Sequence, residues 1–297
     1  MAERMLSQRH SFWKVAAAAA GAALMSASVS AQTVTLGEAA DFCVLGLDAV
    51  KLSITNPQTS VSGNVGLGPA GIQNFSDGFI GGTFTVDTTA NNAKSNNVVI
   101  VGGTLSADLS GAVGDARAAS FAASALAPTQ TFGAVKDALT IVGNGGVNVI
   151  AIESISYSGA TDKLTLDGGA SDVFIVNVSG SVKLSHKLSS IQVGGGVSES
   201  HVLFNLTTAH DPLTISGNAT IAGTYLAPNG GVRLSPAVVI GGVIGGGDTS
   251  LTSAARVECV PFAGGTTCVP PGGECQVSAD CCDPSNICTQ GGTCEGQ

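Results

Sequence analysis

Apolar and polar positions alternate in short bursts through the middle of the chain, from about Val147 to Gly247. Val147-Asn148-Val149-Ile150-Ala151-Ile152, Lys163-Leu164-Thr165-Leu166, Asp172-Val173-Phe174-Ile175-Val176 and Pro212-Leu213-Thr214-Ile215 each read as a strand, with Gly, Ser, Asn and Asp between them. Strands recurring about every 8 to 12 residues, with turn residues between, predict an all-β sandwich, barrel or stacked solenoid rather than an α/β core. One segment breaks the rhythm. Residues 114–128 are rich in Ala, the best helix former; Asp115 is positioned as an N-cap and Pro128 ends the run. This predicts one helix whose small side chains let it lie flat along the β body.

The start of the chain follows another pattern. Arg4, Arg9 and Lys14 precede an apolar run from Val15 to Met25, and small residues follow to Ala31. That arrangement predicts a secretory signal peptide over residues 1–31, too short in its apolar core to span a bilayer. The expected product is secreted or held at the cell surface, with no membrane insertion. The net charge of −9 becomes more negative once this basic leader is removed. An acidic chain lacks the positive footprint that nucleic acid or an anionic membrane requires. The only Trp, Trp13, lies in the leader, which leaves Tyr157 and Tyr225 and weakens a sugar-stacking lectin reading.

Cysteine use divides the rest. Seven of the eight Cys lie beyond residue 258, so the expected plan is a large β domain over residues 32–262, a linker over 263–267 and a disulfide module over 268–297. In a secreted segment of about 30 residues, six closely spaced Cys imply three disulfides, since so short a chain buries too little apolar surface to fold otherwise. A zinc cluster is the competing reading; the oxidising compartment and the absence of His in the tail count against it. Spacing alone leaves the pairing open. Cys43 and Cys259 remain, and are expected to bond to each other, with two buried free thiols as the alternative. By the chain-entropy argument a closure this long contributes on the order of 4 to 5 kcal/mol.

The tail, with adjacent Cys281-Cys282 after Gly272-Gly273-Glu274-Cys275, resembles the knottin miniproteins. That resemblance implies the pairs Cys268 with Cys282, Cys275 with Cys288 and Cys281 with Cys294. In the large domain, Leu36-Gly37-Glu38-Ala39-Ala40-Asp41-Phe42-Cys43, then Val61-Ser62-Gly63-Asn64-Val65-Gly66, then the Ala-rich helix, then Asp172-Val173-Phe174-Ile175-Val176, resemble the bacterial and fungal ice-binding proteins. His201-Val202-Leu203-Phe204-Asn205 and Gly223-Thr224-Tyr225-Leu226-Ala227-Pro228-Asn229 are similar to the related choice-of-anchor and collagen-binding-like adhesive domains. Both resemblances imply a right-handed β-solenoid with a helix packed alongside. They also imply a non-catalytic protein that holds ice, or a matrix protein or polysaccharide, on a flat face.

For such a face the candidates are Thr83, Thr85, Thr104, Thr214, Ser216 and Thr224, whose methyls and hydroxyls would repeat at coil and strand spacing. No regular Thr-x-Thr ladder is visible among them. The third class of function considered is a polysaccharide-cleaving β-helix enzyme, for which Asp162, Asp167, Asp172 and Asp211 are the available carboxylates. Their spacing fits neither a calcium repeat nor a fixed catalytic pair, and turn roles are expected instead. His186, His201 and His210 have no Cys, Asp or Glu partner at ligand spacing. No Gly-x-Ser-x-Gly elbow or phosphate loop is present, so no cofactor, metal or catalytic residue is expected.

Overall fold

The computed structural model describes residues 34–91 and 95–264, together with the backbone of Asn286–Cys288 and Cys294–Gly296. The expected signal peptide lies outside the described residues, as do the side chains of the six tail cysteines. Of the tail, the backbone forms a two-stranded antiparallel pair in which Cys288 faces Cys294.

The short alternating segments stack edge to edge, all in parallel, into a three-faced solenoid. Each residue of a strand faces its equivalent one coil away, at the usual strand separation of about 4.7 to 4.9 Å. Inward positions form continuous apolar files. One runs Val176, Phe204, Tyr225, Val243, Val44, Val65 and Phe84, all fully buried. The Phe204 and Tyr225 rings stack at 4.8 Å with an interplanar angle of 6°. Tyr225 donates its hydroxyl proton to the Ala222 carbonyl, and burial raises its phenol well above the ordinary range.

Chain order and stacking order differ. On the first face the first strand, Val44–Gly46, pairs with residues 65–67 on one side and with residues 243–245, the end of the last long strand, on the other. From Val44 the chain therefore winds outward to Thr104–Ala107 at one end of the stack. It then restarts at Gln130–Val135 at the opposite end and winds back towards the middle. The two ends are nine coil spacings apart, about 43 Å. A 16-residue helix, Ser110–Ala125, bridges about 24 Å of this, and its extended flanks supply the rest.

The helix begins before the expected start, at Ser110 rather than near Asp115. Capping comes from elsewhere in the chain. The Asp87 carboxylate accepts from the Leu109 amide, 22 residues away, and Asp108 accepts from Ser110, so these first donors are satisfied early. Asp115 instead accepts from the Glu38 backbone amide. Ala112, Ala116, Ala119 and Ala123 recur at helical spacing and pack on Leu45, Leu203, Leu226 and Ile244 of four coils. At the other end of the helix, the Ala123 carbonyl accepts from the Leu126 amide and from the Asn177 side chain. Asn205 donates to Asn177 and Ser124, and accepts from the Ser120 hydroxyl.

Two covalent or charged ties secure the coils. Cys43 and Cys259 form the expected disulfide, with Cα atoms 5.3 Å apart, beside the line where the first and last coils meet. Gly63 lies against both sulfurs and leaves no room for a Cβ. The buried Asp172 carboxylate accepts from the amides of Gly145, Gly146 and Gly169 and from the Asn148 side chain. Burial pushes its carboxyl up, but the Asn148 amide and the three backbone donors outweigh that and hold it below the ordinary carboxylate value.

Reduction of the Cys43–Cys259 bond, or the Cys43→Ser/Cys259→Ser variant, is expected to lower unfolding free energy by roughly 3 to 5 kcal/mol in denaturant titrations. An unchanged midpoint would show that the strand pairing alone holds the seam. Because the folded-state pKa of Asp172 is lowered, its contribution is present above the ordinary carboxylate value and is lost as pH falls through the lowered one. Asp172→Asn should therefore flatten the acid limb of melting temperature against pH, and Asp172→Ala should cost about 3 kcal/mol at neutral pH.

Candidate functional site

Outward positions differ sharply among the three faces. The first face lies under the helix. On the third, one outward row reads Ser190, Thr220, Val238, Arg256, Ser60, Phe79 and Val99, mixing apolar, charged and hydroxyl groups. The second face is uniform. Its strands repeat one four-residue pattern, with inward residues at the first and third positions and an outward polar group at the second and fourth. The copies begin at Ile155, Val182, Leu213, Val232, Thr249, Leu52 and Gln73.

The second positions form an unbroken row in register: Ser156, Lys183, Thr214, Arg233, Ser250, Ser53 and Asn74. The fourth positions are all hydroxyls: Ser158, Ser185, Ser216, Ser235, Thr252, Thr55 and Ser76. Along a strand the two rows lie about 6.6 Å apart, and between coils about 4.7 to 4.9 Å. Each fourth-position side chain is at least partly exposed. Ser185 and Ser216 donate to the carbonyls of Tyr157 and Leu184 in the preceding coil, at 3.4 and 3.3 Å. Such bonds hold the hydroxyl oxygens along the solenoid axis with lone pairs still open to solvent. Asn74 donates to the Ser53 hydroxyl at 3.2 Å. Two cations interrupt the first row: Lys183, and Arg233, which pairs with Asp211 at 3.1 Å.

The structure brings together only part of the set named from sequence. Thr214 and Ser216 stand side by side on the second face. Thr85 belongs to the row that continues beneath the helix, between Gly66 and Leu105. Thr83 sits at a corner, its amide bound to the Asn64 side chain. Thr104 is exposed on the terminal coil. Thr224 is 2% exposed, with its hydroxyl buried and unpartnered, so it presents nothing to a ligand. Its strand has the right alternation, but the helix-bearing side covers it. Ser53, Asn74, Ser156, Ser235 and Ser250 went unnamed; the apolar-x-apolar-Ser/Thr pattern marks Ser53, Ser156 and Ser235, whereas Gln73 and Thr249 break it before Asn74 and Ser250. Unequal coil lengths conceal it: 19 residues separate Thr214 from Arg233, and 31 separate Lys183 from Thr214.

Of the carboxylates weighed for catalysis, Asp162 and Asp172 have the expected turn roles, whereas Asp167 lies in the strand Lys163–Gly168 and Asp211 in an ion pair. Asp162 accepts from the amides of Ser158 and Gly159, Asp172 is the corner tie described above, and Asp211 pairs with Arg233. Among the described residues no group of three His, Cys, Asp or Glu is placed to hold a metal ion. No described helix is long and apolar enough to cross a membrane.

Residues 18–257 match a family described as an ice-binding-like adhesive domain. Among solved structures, the chain is similar to an ice-binding protein from an Antarctic biological consortium, at 17% identity and a TM-score of 0.57, covering 75% of this chain and 90% of that one. It is also similar to the ice-binding protein of the Antarctic ascomycete Antarctomyces psychrotrophicus, at 21% identity and a TM-score of 0.55 over 77% and 98% of the two chains. A third likeness is to an ice-binding protein from an Arctic yeast, at 19% identity and a TM-score of 0.55 over 77% and 96%. At these identities the likeness is one of fold. No curated protein matches the chain.

Replacing Thr224 by Val should remove a buried unsatisfied hydroxyl and raise stability by about 1 kcal/mol in thermal unfolding. A loss of stability would mean that the hydroxyl has a buried partner, such as a water.

Proposed function

The chain belongs to the family of ice-binding-like adhesive domains, and from that premise we propose that it binds ice through the second solenoid face. The observation carrying this reading is the uninterrupted file of seven hydroxyls, from Ser158 to Ser76, beside a second polar row. A rigid parallel stack fixes these groups on a two-dimensional grid whose spacings come from the backbone and not from side-chain choice. Water held on such a grid is ordered before it meets a crystal, so the entropy of arranging it is not lost at the moment of binding. Ser predominates over Thr in both rows, which leaves fewer methyls to exclude liquid water. Lys183 and Arg233 keep strongly hydrated charges in the middle of the grid. Modest activity follows from both features.

Adhesion and secretion belong to the same proposal. Residues 1–31 direct export, residues 32–262 form the binding domain, and residues 268–297 form a separate disulfide module after a short linker. The protein then acts outside the cell, without catalysis. The engagement of Asp162 and Asp172 by backbone amides, and of Asp211 by Arg233, supports the non-catalytic part of this reading.

The experiment is thermal hysteresis together with ice-recrystallisation inhibition on the oxidised protein. Wild type should inhibit recrystallisation. Thr214→Tyr/Ser216→Tyr, which raises two bulky rings from the grid, should abolish the effect while leaving the melting temperature nearly unchanged. Lys183→Thr, which restores a short hydroxyl to the first row, should increase it. Wild-type inactivity, or full activity in the double Tyr variant, would refute the assignment of this face.

A further inference from the structure

Phe121, on the outer side of the helix, is 79% exposed, the most exposed of the large apolar side chains among the described residues. Arg117, Phe121 and Ser124 form one stripe along the helix, at positions i, i+4 and i+7. Facing this stripe is the corner where the strands of the first face turn towards the second. There Glu153, within the long strand Val147–Tyr157, and Ser179 and Thr207, just past the ends of theirs, belong to three successive coils, tied by bonds from the Ser179 amide to Ile152 and from the Thr207 amide to Val178. Asn229 adds a fourth coil, its amide reaching the Thr207 carbonyl at 3.5 Å. Two depressions of about 400 and 320 Å³ lie between helix and corner and share Ser124 and Thr207 in their walls. They form one trough running parallel to the solenoid axis.

We propose that this trough binds a neutral, extended polysaccharide, with a sugar ring stacked on Phe121. Three properties point to that chemistry. An exposed aromatic ring offers its face to the C–H side of a pyranose, while the hydroxyl and amide groups beside it suit the equatorial hydroxyls. Charge is nearly absent: Arg117 and Glu153 are the only charged residues lining the trough, and Arg117 is already paired with Asp48 at 2.5 Å. An anionic polymer would find no cationic row to neutralise it. The repeat also fits. Successive coils place a polar group every 4.7 to 4.9 Å, close to the length of one pyranose unit in an extended chain, so each sugar meets an equivalent corner. The groove stands apart from the hydroxyl face, and the proposal does not depend on ice binding.

Calorimetry on the full oxidised chain tests it, with the neutral β-linked hexaoses of glucose, mannose and N-acetylglucosamine as probes, each beside its monosaccharide. At least one hexaose should bind, at least about tenfold more tightly than its monosaccharide. Phe121→Ala should weaken that binding about tenfold, with thermal unfolding unchanged because the ring is exposed. Failure of all three hexaoses to bind, or equal affinity in Phe121→Ala, would overturn the proposal.

Discussion

The strand pairing on which the rest depends is the one that seats Val44–Gly46 between residues 65–67 and 243–245. It joins two stacks wound from opposite ends of the chain into one body. Without it, the coils from Val44 to Ala107 and those from Gln130 to Gly245 would each expose an open edge at the middle of the molecule, where unpaired backbone groups are costly to desolvate. The Cys43–Cys259 bond and the helix reinforce the same junction from two sides. One closes the corner beside the first strand, and the other lays its Ala file across Leu226, Ile244 and Leu45. The continuity of the second face is a consequence, since Ser250 and Ser53 meet across that line.

Much of this architecture was legible in the chain. Alternation over short segments gave strands, the Ala-rich run gave the helix, and the two cysteines left outside the tail gave the bond across the seam. What local pattern did not give was which strand neighbours which. Nothing in Val44-Leu45-Gly46 points to Val243-Ile244-Gly245, because parallel pairing carries no turn signal between its partners. The helix start was misplaced for a related reason. Asp115 has the composition of a cap, whereas Asp87 reaches Leu109 only because the last outward coil brings it there.

The binding face shows the same limit at finer scale. Thr224 and Thr214 look alike in sequence and belong to the same long strand, Leu213–Ala227, yet one lies buried on the helix-bearing side and the other stands on an open face. A search for Thr favoured residue type over position. The hydroxyl grid is defined by position, the fourth residue of each repeated quartet, and is filled mostly by Ser. In this solenoid the two candidate surfaces also differ in kind. The second face is planar and set by backbone spacing, whereas the trough owes its depth to the helix standing above the corner.

The order of coils in space is not the order in which a ribosome makes them. The four coils that begin at Val44 emerge first, but the neighbour of their innermost strand, residues 243–245, emerges nearly last. Until then the nascent chain holds an unsealed parallel edge, and the contacts that close it span about two hundred residues. Such topology favours slow maturation and a need for shielding while the edge stands open. A thiol at Cys43 must likewise wait, reduced, for a partner 216 residues away.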